Sequence, residues 1–256
     1  MGYTTNFIGS FTLDKPLTAD QKEYLNMFAN TRRMTRDPGR ILQMKVEGRG
    51  NTRCFELLDA LKLPIGPKGE FYCGTGMAGQ DGGCFNNGAD SSVVEYNQAP
   101  GERDGGQPGL WNQWNPNEDG TEIIWDGSEK FYNYTEWLEY LINTFLAPWG
   151  YKVNGQVEWR GEDNSDIGVL GVVDNVVTTH EGKTIAHLED ARKNEKMTES
   201  AIAASETFAE SKSFATDKSE IVLEIVKIRN ACVTQKAGTR RAAKLLDKLI
   251  AKLGGV

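Results

Sequence analysis

The sequence predicts an α+β chain followed by a helical C-terminal extension. Three observations carry this. The chain opens with apolar residues at period two, and two capped segments with helical spacing alternate with strand-like stretches. Past residue 180 the composition turns Ala-, Glu- and Lys-rich.

The opening stretch "MGYTTNFIGSFTL" puts Tyr3, Thr5, Phe7, Gly9, Phe11 and Leu13 on one face. Thr4, Asn6, Ser10 and Thr12 fall on the other, with Ile8 the exception, so a half-buried strand is expected. In "LTADQKEYLNMFANTRR", Thr18 and Gln21 have capping-box spacing, and Leu25, Phe28 and Ala29 follow at helical intervals. That predicts a helix ending near Arg33. A short helix over 53–62 follows from "RCFELLDALKL". Residues 64–109 are Gly-rich with little apolar periodicity and read mostly as loop, a length usual for functional or mobile segments.

Order returns at Leu110. "LWNQW" and "TEIIWDG" flank "NPNEDG", the signature of a hairpin. Asn133 and Glu136 have the spacing of a second capping box before "YTEWLEYLINTFLA". There Trp137, Leu141 and Phe145, with Leu138, Ile142 and Leu146, form a wide apolar face that Pro148 terminates. "YKVNGQVEWRG" turns Tyr151, Val153, Val157 and Trp159 inward. "IGVLGVVDNVV" reads as a fifth strand, apolar on both faces and therefore central or covered. The order β-α-β-β-α-β(-β) predicts a ferredoxin-like core over 1–180, with a helical extension over 181–256.

Charge is segregated along the chain. Residues 1–180 hold 15 basic and 25 acidic side chains, whereas 227–256 hold 8 basic and 1 acidic. An acidic body grips nucleic acid poorly, while the basic end, through Lys236, Arg240, Arg241, Lys244 and Lys248, is expected to dock on something anionic: nucleic acid, an anionic surface or the body itself. Ile221, Ile225, Ile228 and Cys232, then Leu245, Leu249 and Leu253, space two helices suited to self-association through 219–253. No apolar run reaches the roughly 20 residues of a membrane span, and no secretion signal opens the sequence. A cytoplasmic protein with no membrane partner is expected.

The stretch "CGTGMAGQDGG" contains a literal G-x-G-x-x-G. A dinucleotide site needs a buried strand before the glycines and a helix after them. "KGEFY" is too short a lead, and "QDGGCFNNGADSS" cannot start a helix, so dinucleotide binding is excluded. Cys54, Cys73, Cys84 and Cys232 form no C-x-x-C pair and read as reduced thiols; no metal or cofactor is expected. Asp126, Glu129, Glu162 and Asp163 are weak catalytic or Mg²⁺ candidates and read better as turn formers. His180 and His187 build no legible triad. Trp111 and Trp114, three residues apart, point to opposite sheet faces, which leaves one of them for a ligand or partner; Gln80, Asp81 and Tyr132 join them as candidates. An RNA-recognition surface is rejected, because Asn6, Ser10, Thr12, Gln156 and Glu158 occupy the face where aromatics are required.

The strings "MGYTTNFIGSF", "TRRMTRD", "QPGLWNQW", "WDGSEKFYNYTEWLEYLINTFLAPWGY" and "NGQVEWRGEDNSDIGV" resemble a family of small uncharacterised proteins of tailed bacteriophages and prophages. The likeness covers about 1–37 and 69–178. It implies a phage setting and carries no activity or catalytic residue. The function expected is that of a non-enzymatic phage accessory protein binding a host protein or small ligand, to antagonise a host defence. The alternatives are a Mg²⁺-dependent hydrolase or nucleotide-processing enzyme, and a nucleic-acid-binding protein acting through the basic tail.

Overall fold

The computed structural model describes residues 2–74, 91–95, 98–212 and Ile225. The chain divides into two compact units, Met1–Thr184 and Ile185–Val256. The first is a mixed α+β unit.

Its sheet is built from β1 (Asn6–Leu13), β4 (Trp114–Pro116), β5 (Glu122–Trp125), β6 (Val153–Arg160), β7 (Ile167–Val173) and β8 (Val176–Glu181). The order is β4-β5-β1-β6-β7-β8, and every neighbouring pair is antiparallel. A separate two-stranded ribbon joins β2 (Thr35–Arg36) to β3 (Val93–Glu95). Among the described residues, the α-helices of this unit are α1 (Ala19–Ala29), α2 (Pro38–Val46), α3 (Thr52–Ala60) and α4 (Tyr134–Leu141). A π-helical turn, Ile142–Leu146, continues α4.

Period two decides which face of β1 is buried. Phe7, Phe11 and Leu13 enter the core, while Ile8 on the opposite face is 63% exposed. Phe7 meets Trp114 edge-on at 5.3 Å between centroids, and Phe28 of α1 meets Phe145 at 5.2 Å. Trp137, Leu138 and Leu141 of α4 are buried in the same cluster, together with Tyr151, Val153, Val157 and Trp159, as their spacing predicts. The α1 capping box forms as expected: Thr18 Oγ1 accepts from Gln21 N, and Gln21 Oε1 accepts from Thr18 N.

Three expectations need correction, and one helix is new. The fifth strand is two strands, β7 and β8, because Asp174 and Asn175 both take positive φ (46° and 72°) and make a two-residue hairpin turn. Helix α2 was not foreseen, although Asp37 caps it through Gly39 N and Pro38 stands at its first position. Asn133 precedes α4 but caps it with no side-chain bond: its φ is 54°, and its Nδ2 donates instead to Pro108 O at 2.6 Å. Trp111 lies in the loop ahead of β4 rather than on a strand.

In the second unit, α5 (Ile185–Lys212) matches the expected polar helix, and its described side chains are largely exposed. Among the described residues no helix is long and apolar enough to cross a membrane. Residues 75–90 of the Gly-rich stretch, with Gln80, Asp81 and Cys84, lie outside the described residues. So do Cys232 and the basic residues Lys236, Arg240, Arg241, Lys244 and Lys248.

Candidate functional site

The segment that follows β5 builds the site. Asp126 Oδ1 accepts from Ser128 N at 2.8 Å and closes a turn. Gln113 fastens this turn to the start of β4. Its Nε2 donates to Glu129 O at 3.0 Å, and its Oε1 accepts from Trp125 Nε1 at 3.0 Å. Lys130 and Asn133 then adopt left-handed conformations with φ of 62° and 54°. Between them Phe131 is driven into the core and Tyr132 is left 56% exposed.

The second wall comes from residues 102–113. Arg33 holds it in place: its backbone N donates to Leu110 O at 2.8 Å, and its Nε donates to Gln107 Oε1 at 3.3 Å. Asn133 ties the same wall down through Pro108 O. Trp111 stands on it, 37% exposed.

Between these walls lies a half-open cavity of about 480 Å³, lined among others by Glu102, Trp111, Glu129, Lys130, Tyr132 and Trp137. A hollow of about 340 Å³ shares Trp111, Gln113 and Glu129 with it. A wider groove of about 650 Å³ shares Glu102 and Asn133. At the floor lies Trp137, fully buried, whose Nε1 has no hydrogen-bond partner among the described residues. A buried N–H left without an acceptor costs about 1–3 kcal/mol.

The structure thus brings Trp111, Tyr132 and Glu129 of the sequence candidates to one cavity, and Asp126 to the adjoining hollow. Trp114 is closed off at 1% exposure; its Nε1 donates to Tyr134 O at 2.8 Å inside the core. Glu162 and Asp163 sit elsewhere, in the turn between β6 and β7. Glu162 Oε1 accepts from Thr4 N at 2.8 Å, and Asp163 Oδ1 accepts from the Ser165 hydroxyl at 2.7 Å. The Ser165 bonds hold the Asp163 carboxyl below its usual range. These contacts make the turn a clasp for the N-terminal segment. His180, on β8, pairs in register with Val169 of β7, and His187 is on α5. Among the described residues no group of three His, Cys, Asp or Glu side chains is placed to hold a metal ion.

Two features escaped the sequence reading. One is the Trp137 indole N–H, which a helical stripe presents only as a core ring. The other is a buried pair of thiols, Cys54 and Cys73, in which Cys73 N donates to Cys54 Sγ at 3.1 Å. Arg33 Nη1 donates to Cys73 Sγ at 3.7 Å. Neither was foreseeable, because the partners come from distant segments. No family model, curated protein or solved structure matches this chain.

Proposed function

We propose that this is a non-enzymatic binding protein whose α+β unit holds a small ligand in the Trp111–Tyr132 cleft. The single observation that carries the reading is that Trp137, which lines that cavity, keeps its fully buried indole N–H without a hydrogen-bond partner among the described residues. Of the two kinds of partner expected, a host protein or a small molecule, a cavity of about 480 Å³ supports the small molecule. The resemblance to tailed-phage and prophage proteins supports placing this binding in an infected bacterial cytoplasm, as an accessory function directed against a host defence. We also read the core as ferredoxin-like: the antiparallel run β4-β5-β1-β6 supports a split β-α-β arrangement, extended by β7 and β8 and carrying an insertion between α1 and β4.

The test is to purify the protein gently from bacteria, denature it, and identify the small molecules released, for wild type and for a Trp111→Ala/Tyr132→Ala double variant. A near-stoichiometric molecule released by wild type and lost from the folded double variant supports the reading. Equal release from both proteins, or none from either, overturns it.

A further inference from the structure

We propose, resting on the cleft reading above, that the ligand is a neutral planar heterocycle with a lactam edge, a carbonyl beside an N–H, as in a guanine-type base. Three independent features of the cavity select that chemistry.

The first is the donor on its wall. An indole N–H donates only and does not ionise near neutral pH, so Trp137 Nε1 asks for an oxygen or nitrogen acceptor. Gly109 borders this edge of the ring: a Cβ there would stand in ordinary contact, 3.8 Å from Trp137 Nε1 and 3.6 Å from Asn133 Nδ2. The N-terminal end of α4, which Asn133 leaves without a side-chain cap, lines the same wall and adds partial positive charge.

The second is shape. Trp111 and Tyr132, both exposed aromatics on the rim, offer flat apolar faces. Such faces bind planar π systems with little dependence on ring substituents.

The third is charge. Glu102, whose Oε2 already accepts from Ala99 N at 3.1 Å, and Glu129 line the cavity against one cation, Lys130. The surrounding residues 1–180 are acidic overall, with 25 acidic against 15 basic side chains. A carboxylate or phosphate ligand would meet this field unfavourably. The acceptor offered to Trp137 is therefore neutral, and the two carboxylates call for N–H donors on the same molecule. A carbonyl adjoining an N–H on a flat ring meets both demands.

The experiment is calorimetric titration of the full-length protein with guanosine, adenosine and guanosine triphosphate. Guanosine carries the lactam edge; adenosine offers a comparable stacking face but an amino donor where guanosine has its carbonyl. We expect guanosine to bind about tenfold more tightly than adenosine, and the triphosphate more weakly than guanosine. Trp137→Phe should weaken guanosine about five- to tenfold and leave adenosine unchanged. Gly109→Val, whose added methyl groups would crowd the Nε1 edge of Trp137, should do the same if Trp137→Phe fails to fold. The Trp111→Ala/Tyr132→Ala variant should lose both nucleosides. Equal affinity for guanosine and adenosine, or no binding of guanosine, overturns the ligand class. If a natural molecule is still released in a cleft-dependent manner, that result leaves the binding reading standing; absence of any such molecule removes the reading itself.

Discussion

Cys73 is buried, yet its thiol is more acidic than usual. Burial alone pushes the thiol up; the hydrogen bond with Cys54 and the positive charges of Arg33 and Arg36 more than offset this and bring it down to about 7. Cys54 moves the other way, raised by its bond to Cys73 and by burial. Arg33 is itself fully buried, stacked at 4.0 Å over the Phe28 ring and donating to Tyr72 O at 3.1 Å. A thiolate at Cys73 supplies this guanidinium with a counter-charge. The sign of the pH dependence follows. A thiol whose folded pKa lies below its unfolded value, near 8.5, stabilises the fold fully above about pH 8.5, and that contribution fades as pH falls through 7. The stability advantage of wild type over Cys73→Ser should therefore grow by about 2 kcal/mol between about pH 6.5 and about pH 9. Urea unfolding at the two pH values checks it, and a difference that stays flat would mean the thiol is neutral in the folded state.

At the scale of the element, β6 and its neighbours are registered by glycines. Gly9 on β1 has φ of 117°, and a Cβ there would collide with the carbonyl oxygen of Gln156 on β6, so the two strands meet at a distance that only glycine allows. Across the other edge of β6, Trp159 pairs with Gly168 of β7, and its indole occupies the space a Cβ of Gly168 would need. Trp159 Nε1 donates to Asp166 Oδ1 at 3.1 Å, and the Tyr3 hydroxyl donates to Asp166 Oδ2 at 2.7 Å. One glycine thus lets a large ring lie flat, fix the register and join the N-terminal segment to the β6–β7 turn. Gly168→Ala should displace Trp159, lower stability by about 2–3 kcal/mol and shift tryptophan emission to longer wavelength. Thermal unfolding followed by fluorescence reads both; unchanged emission would place the indole elsewhere.

At the scale of the whole molecule, residues 1–184 form a unit with its own core, running from Phe7 on β1 to Val172 on β7. A chain ending at residue 184 should unfold cooperatively and keep its near-ultraviolet aromatic signal. Broad melting together with strong binding of a hydrophobic dye would show that the unit needs more of the chain.

Much of this unit was legible in local spacing. Strand β1, the α1 capping box and the α4 stripe were readable because period two, period 3.6 and cap chemistry act within a few residues. The Asp174–Asn175 turn was hidden by valines that run unbroken on both sides, and α2 by the glycines around it. Of the cleft, the sequence offered Trp111, Tyr132 and Glu129 as separate candidates, and nothing in it joined them. Trp137 belongs to a helical stripe and is buried as that stripe requires, but whether its N–H finds an acceptor depends on where residues 102–113 cross it. Asp166 reads as one more turn carboxylate until Tyr3, 163 positions away, is seen to bond it. Periodicity decides which face of an element is buried, since burial of apolar area has no direction. Only the tertiary structure decides which polar atom on that face is left without a partner, since hydrogen bonds require particular atoms within about 3 Å.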